Sequence, residues 1–239
     1  MEDILKLQTL VDKSNRIVFF GGAGVSTESG IPDFRSVDGL YNQKYGYPPE
    51  MILSHSFFLS KTKEFYDFYR DKMIVKGVQP NKAHYKLAEL EAKGKLTAVI
   101  TQNIDGLHQL AGSKKVLELH GSIQRNSCMC CRKAYDLAYI EAAKDVPHCE
   151  CGGIIKPDVV LYEEGLDMGV IHDAVDYIQK ADLLIIGGTS LGVYPAAGLV
   201  DYFRGDDIVL INRDATAKDH IASLVIRDKI GEVLGAIRV

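Results

Sequence analysis

The sequence predicts an α/β fold: a parallel sheet covered by helices on both faces, with a smaller lobe assembled from two insertions. Three observations carry this. Short apolar runs rich in Val, Ile and Leu recur along the 239 residues, as "RIVFF", "LTAVIT", "VLEL", "VVLY", "DLLIIGG", "DIVLIN" and "SLVI", and runs of this kind mark strands buried on both faces. Between them lie segments with apolar residues three and four apart, the period of a helix with one buried face. Two stretches break the rhythm: residues 37–78 carry Tyr and Phe on helical spacing, and residues 125–155 hold all five cysteines with almost no apolar run. The expected main domain is therefore 1–36, 79–124 and 156–239, with 37–78 and 125–155 forming the small lobe.

Composition narrows the function classes. Hydrophobic residues make up 46% and charged residues 25%, an ordinary globular balance that favours neither a disordered nor a fibrous class. Apolar runs such as Leu183 to Ile186 fall far short of a membrane span, and "MEDILKLQTLVDK" lacks the apolar block of a signal peptide. A cytoplasmic monomer with no membrane partner is the expectation. A net charge of −4 argues against stable nucleic-acid binding, which needs a basic face.

Each element then follows in order. The N-terminal segment alternates charged and apolar residues as an amphipathic helix does. "RIVFF" runs into "GGAGVSTESGIP", where Gly22 and Gly24 supply the first two glycines of a dinucleotide fingerprint, but Thr27 takes the third position and Pro32 stops any long helix. "SHSFFLSKTKEFYDFYRDKM" and "NKAHYKLAELEAKGK" read as helices. "LTAVI" ends in "TQNIDG", which places Gln102, Asn103 and Asp105 at a strand's carboxyl end, where open α/β sheets bind ligands; a polar turn capping the next helix is the alternative. "VLEL" ends at His120 on the same expected sheet edge. Neutral imidazole is the natural general base near neutral pH, although a histidine at a strand end also serves structure alone.

The cysteines have the most specific spacing. Cys128 and Cys131 form a CxxC pair, 17 residues intervene, and Cys149 and Cys151 form a CxC pair before Gly152 and Gly153. Two close thiolate pairs can surround a tetrahedral zinc, which would stabilise a core-poor segment. Two reduced pairs without metal are the alternative, and Cys130 lies close enough to compete as a ligand. Four thiolates leave no open position, so the expected metal is structural.

After the helix "MGVIHDAVDYIQKA", the buried strand "DLLIIGG" ends at Gly187 and Gly188, and Thr189 and Ser190 offer hydroxyl and amide donors of the kind that hold phosphate. "VLIN" places Asn212 to take a ribose hydroxyl, and "IGEVLGAI" closes the chain as a helix. Together with the opening glycines, these polar loops point to a nucleotide. A dehydrogenase would need the missing third glycine and an acidic residue about 20 positions on. A zinc hydrolase would need an open metal position, and a zinc-bearing nucleic-acid module would need more cations than Arg125, Arg132 and Lys133.

In order and spacing, "GAGVSTESGIPDFRS", "TQNIDGLH", "LHGS", the paired cysteines, "PDVVLYEE" and "GTSLGVYPAA" resemble the sirtuin family of NAD-dependent protein deacylases, over nearly the whole chain. The resemblance implies a Rossmann-like sheet with a zinc-binding and helical lobe. It also implies a reaction that consumes NAD: the acyl oxygen of a modified lysine attacks C1′ of the nicotinamide ribose, nicotinamide leaves, and the acyl group ends on ADP-ribose as O-acetyl-ADP-ribose. ADP-ribosyl transfer to protein stays open as a side activity. By match to the motifs, Ala23, Gly24 and Thr27 line the pyrophosphate with Ser26 in support, Phe34 covers the reacting ribose and Arg35 meets phosphate. Asp105 and the Ile104 amide hold the carboxamide, Gln102 contacts the ribose, Asn103 orders the reacting centre, and His120 is the general base. Thr189 and Ser190 contact phosphate and ribose, Asn212 the adenine ribose, and Lys229 the adenine. The acyl-lysine peptide adds as a strand between "VVLYEE" and "GVYP", with Val160, Leu161 and Val193 as contacts.

The family's desuccinylase branch carries a Tyr-x-x-Arg pair; the matching position here reads Tyr66, Asp67, Phe68, Tyr69. Arg70, one residue further on, is rotated by roughly 100° on a helix. An apolar pocket for acetyl or longer uncharged chains is therefore expected. "VVLYEE" also departs from the usual "FFGE" wording at the pocket wall.

Overall fold

The computed structural model describes residues 2–33 and 46–239. The elements are α1 (Glu2–Lys13), β1 (Ile17–Gly21), α2 (Pro49–Ile52), α3 (His55–Ser60), α4 (Thr62–Phe68), α5 (Lys82–Ala92), β2 (Leu96–Thr101), α6 (Leu107–Leu110), β3 (Val116–Glu118), β4 (Gly121–Cys128), β5 (Ala134–Asp136), α7 (Leu137–Ala142), β6 (Ile155–Val159), α8 (Met168–Lys180), β7 (Leu183–Gly187), β8 (Asp207–Ile211), β9 (Leu224–Ile226) and α9 (Ile230–Gly235). Six strands form one sheet in the order β3-β2-β1-β7-β8-β9, with every neighbouring pair parallel.

The pleat explains why these strands read as unbroken apolar runs. Successive side chains point to opposite faces, and both faces are covered. Ile17 and Phe19 of β1, with Leu183 and Ile185 of β7, join a cluster with Leu7 of α1, Leu87 of α5 and Val233 of α9. Val18 and Phe20, with Leu184 and Ile186, join a second cluster with Ala174 and Ile178 of α8. The helices start where the sequence places polar caps. Asp167 accepts hydrogen bonds from the Gly169 and Val170 amides at the start of α8, and Asn81 accepts from the Ala83 amide at the start of α5.

The remaining strands form a separate antiparallel sheet, β5-β4-β6. The run "VVLY" therefore does not add to the parallel sheet. Its first valine ends β6, where burial alternates along Ile155–Val159, as in a strand with one covered face. A third cluster packs Phe57, Phe65, Tyr66 and Tyr69 against Ile123, Cys128, Ile140, Cys149 and Ile155, so aromatic residues of the helical segment and the cysteine-bearing segment share one core.

Under the parallel sheet lies an acid-sensitive pair. His84 and His108 are buried with ring centroids 4.7 Å apart. His84 Nδ1 accepts the Asn81 amide, whereas His84 Nε2 and both nitrogens of His108 lack a partner among the described residues. Burial drives the pKa of His84 down to about 4 and that of His108 down to about 3. Above pH 6.5 both rings are neutral folded or unfolded and add no pH dependence to stability. As pH falls below 6.5 the unfolded chain binds protons first, so stability drops by about 1.4 kcal/mol per pH unit for each ring. Urea unfolding of wild type and His108→Leu at pH 7, 6 and 5 checks this: the variant should lose roughly half of the pair's contribution to the slope, and an unchanged slope would contradict it.

Candidate active site

The order of the parallel sheet reverses between β1 and β7, since β2 and β3 lie on one side of β1 while β8 and β9 lie beyond β7. Loops leaving such a switch point diverge and open a crevice at the carboxyl ends of the strands. A cleft of about 840 Å³ occupies that position.

Two glycines set its floor. The Gly24 amide donates to the Gly188 carbonyl at 2.8 Å, and a Cβ on Gly24 would meet Gly188 backbone atoms at 2.8 Å. Gly188 has a φ of 59°, and a Cβ there would lie 2.3 Å from the Val25 nitrogen. The chain then makes two single 3-10 turns, Ala23–Val25 and Thr27–Ser29, and ends them at Gly30 with a φ of 91°. No long helix follows β1, which accounts for Thr27 in place of a third glycine. The Thr27 hydroxyl closes the turn on the Gly24 carbonyl at 2.9 Å.

The loop after β2 meets this turn. Ser26 Oγ donates to Asp105 Oδ2 at 2.7 Å, and Asn103 Nδ2 donates to Ser26 Oγ at 3.0 Å. Burial raises the pKa of Asp105, partly offset by the hydrogen bonds from the Leu107 amide, Ser26 and Asn103. Asn81 holds the loop from below, its Nδ2 donating to Val25 O and to Ser29 Oγ. Asn81 is not singled out by the sequence, because its contact to Ser29, 52 residues back along the chain, has no local signal.

His120 follows β3. Its Nδ1 lies 3.0 Å from the Gln102 carbonyl oxygen. A carbonyl only accepts, so Nδ1 carries the proton and the neutral ring keeps a lone pair on Nε2. Burial lowers the His120 pKa below the ordinary 6.5, and the bond to Gln102 acts in the opposite direction. The ring is therefore a neutral base at physiological pH. Gln102 itself donates to Thr189 Oγ1 at 3.1 Å, which ties the loops on either side of β1 together.

Apart from the cysteines, the predicted site residues within the described chain line this one cleft: those of the loops after β1, β2 and β3, then Thr189, Ser190, Asn212 and Lys229, and Val160, Leu161 and Val193. Phe34 and Arg35 lie outside the described residues. Leu161 contributes its side chain, because its amide is committed to Glu164 Oε2 and its carbonyl accepts the Glu164 amide. Glu163 and Glu164, unassigned on sequence grounds, also line the cleft. Tyr66 and Tyr69 do not: both are buried, Tyr66 Oη donates to the Ile155 carbonyl, and Arg70 turns to the Asp145 carbonyl at 3.0 Å. A π-helical turn begins at Tyr69 and breaks the α-helical phase on which a 100° rotation rests.

In the small lobe, the Sγ atoms of Cys128, Cys131, Cys149 and Cys151 all lie within 4.8 Å of one another. Cys128–Cys151 and Cys131–Cys149 separations are 3.5 Å. A tetrahedral ion with bonds of about 2.3 Å needs sulfurs about 3.8 Å apart, so this donor set fits zinc. Cys130 is outside the cluster. Its amide and that of Cys131 donate to Cys128 Sγ at 3.4 Å, so it supports a ligand through its backbone.

The switch-point cleft, the glycine crossing and the neutral histidine define a Rossmann-like nucleotide-binding enzyme with a thiolate metal module. Residues 22–195 match the Sir2 family model. The chain is 60% identical to the NAD-dependent protein deacetylase of Clostridium acetobutylicum, across 99% of this chain and 98% of that one. It is likewise 60% identical to the NAD-dependent protein deacetylase of Clostridium perfringens, across 99% of each. Among solved structures, a Sir2 complex with p53 peptide and NAD+ superposes with a TM-score of 0.84 at 39% identity, covering 96% of this chain and 94% of that one. A Sir2 variant with deacetylated p53 peptide and 3′-O-acetyl-ADP-ribose gives 0.88 at 39% identity, covering 97% and 95%. The chain belongs to the Sir2 family.

Proposed function

We propose that this chain is an NAD-dependent protein-lysine deacetylase that moves the acyl group of an acyl-lysine onto ADP-ribose and releases nicotinamide. The observation that carries this reading is a neutral His120, its Nε2 lone pair held available by the Gln102 carbonyl, in one cleft with the Ser26–Asn103–Asp105 network. Bound NAD supplies an activated glycosidic carbon and the ribose hydroxyls.

The chain's own residues do the rest. The Ala23, Gly24 and Thr27 turn, free of bulk at Gly24, receives the pyrophosphate, and Thr189 and Ser190 face it from β7. Asp105 and the Ile104 amide hold the carboxamide, with Asp105 fixed by Ser26. Gln102 orients the ribose, and Asn103 orders the reacting centre. His120 Nε2 accepts the proton from a ribose hydroxyl. Asn212 and Lys229 take the adenosine end. Val160, Leu161 and Val193 receive the peptide. With Tyr66, Tyr69 and Arg70 turned away from the cleft, no Tyr-x-x-Arg pair stands there to grip an acidic acyl group, and acetyl or longer uncharged chains fit better. No helix among the described residues is long and apolar enough to cross a membrane. The proposed enzyme is a monomer that acts on acyl-lysine proteins in the cytoplasm.

The test is incubation with NAD and an acetyl-lysine peptide, following free nicotinamide and peptide mass. Both nicotinamide release and deacetylated peptide are expected; NADH without nicotinamide would sink the reading.

A further inference from the structure

Aligned with the family's "FFGE", "LYEE" puts Glu163 where glycine is usual, and its φ of 73° is one that glycine adopts freely and other residues adopt at a cost. A charged side chain therefore persists at a position that disfavours it. Its carboxylate is fixed rather than loose, accepting from the Ser56 amide at 2.9 Å and the Ser56 hydroxyl at 3.0 Å. Among the described residues, no lysine or arginine pairs with it. Glu164 differs: its charge is met by Lys156 at 3.1 Å, and His55 Nδ1 lies 2.8 Å from its other oxygen. Two tyrosines complete the mouth from opposite segments, Tyr162 at 42% and Tyr194 at 67% exposure, and both line the cleft. The segments that frame this mouth, 158–166 and 190–195, contain no Lys, Arg or His.

Resting on the deacetylase reading above, we infer that the peptide mouth selects acyl-lysine segments flanked by cationic residues. Glu163 supplies the uncompensated charge, and Tyr162 and Tyr194 supply aromatic faces that also attract cations. Main-chain pairing of a peptide is indifferent to sequence, so a fixed anion at the rim is what distinguishes one flank from another. At a solvated rim such a charge acts weakly, by about threefold for each unit change in flank charge, and salt screens it.

The test uses three acetyl-lysine peptides that differ only in the residues beside the modified lysine: Arg, Gln or Glu. At low salt kcat/KM should fall in the order Arg, Gln, Glu by about threefold per step, and the steps should shrink at high salt. Glu163→Asp, which keeps the charge, should retain the order. Glu163→Gln and Glu163→Gly should both flatten it; the glycine variant relieves the backbone, so misfolding cannot account for its result. Equal rates for the three peptides in wild type, or a preference that survives in both the Gln and Gly variants, would overturn the inference. Turnover of the Gln-flanked peptide stands apart: its absence with all peptides defeats the deacetylase reading, whereas equal turnover of all three defeats only the flank selection.

Discussion

Replacing His120 by alanine should lower deacetylation by about a thousandfold, within the hundredfold to ten-thousandfold range that a positioned general base contributes, while the protein stays folded. The structural cost is small because, among the described residues, the ring makes one hydrogen bond, to the Gln102 carbonyl, worth about 1 kcal/mol. The two effects thus separate in size, and a thermal melt beside a rate measurement distinguishes a lost base from a lost fold. The resemblance places the base after nicotinamide departure, so the variant should still exchange labelled nicotinamide. A second signature is the pH profile. His120 works only when neutral, and burial holds its pKa below 6.5. Wild-type kcat/KM should therefore be flat from neutral pH down to 6.5 and fall on a limb at more acid pH, and the residual rate of the variant should lack that limb. Retained turnover in the variant, or a limb that survives the substitution, would remove His120 from the role.

His120 was legible because it belongs to a pattern that strand polarity makes readable. An apolar run followed within two residues by Asn, His or Gly places those residues at a sheet's carboxyl edge, and β1, β2, β3, β7 and β8 all end this way. The paired cysteines were legible for a related reason: close spacing limits where their sulfurs can go. The unreadable parts depend on contacts far apart in sequence. "VVLY" is as apolar as "LLII", but only its partner decides that β6 joins an antiparallel sheet with β4. Tyr66, Tyr69 and Arg70 lie so close together that a change from α to π winding redirects them. Asn81 and Glu163 have no local signal, because their contacts reach Val25 and Ser56 across 56 and 107 residues.

Removing the metal should unfold the small lobe. A denatured sample is expected to release about one zinc per chain, and chelation should lower the melting temperature steeply and remove the near-ultraviolet circular dichroism contributed by the small lobe's tyrosines. The sulfurs themselves show why. The Cys151 amide and then the Tyr135 hydroxyl pull Cys149 down to about 6. Cys151 is pushed up to about 12: the Gly153 amide favours its thiolate, but the sulfurs of Cys128, Cys131 and Cys149 outweigh it. Four sulfurs this close cannot all ionise without a cation among them, so a metal-free lobe keeps crowded thiols in place of bonds. Structural zinc contributes about 10–16 kcal/mol in small peptides, comparable to the whole stability of a domain, roughly 5–15 kcal/mol. The damage should also spread. Cys128 and Cys149 belong to the core that holds Phe57, Phe65, Tyr66, Val159 and Leu161, and Val159 and Leu161 form part of the cleft wall. Cys149→Ser should therefore lose zinc, tyrosine dichroism and peptide deacetylation together, while the parallel sheet, whose two apolar clusters contain none of these residues, keeps its far-ultraviolet signal. Metal-free protein that retains its melting temperature and its tyrosine signal would show that the aromatic core holds the lobe without the ion.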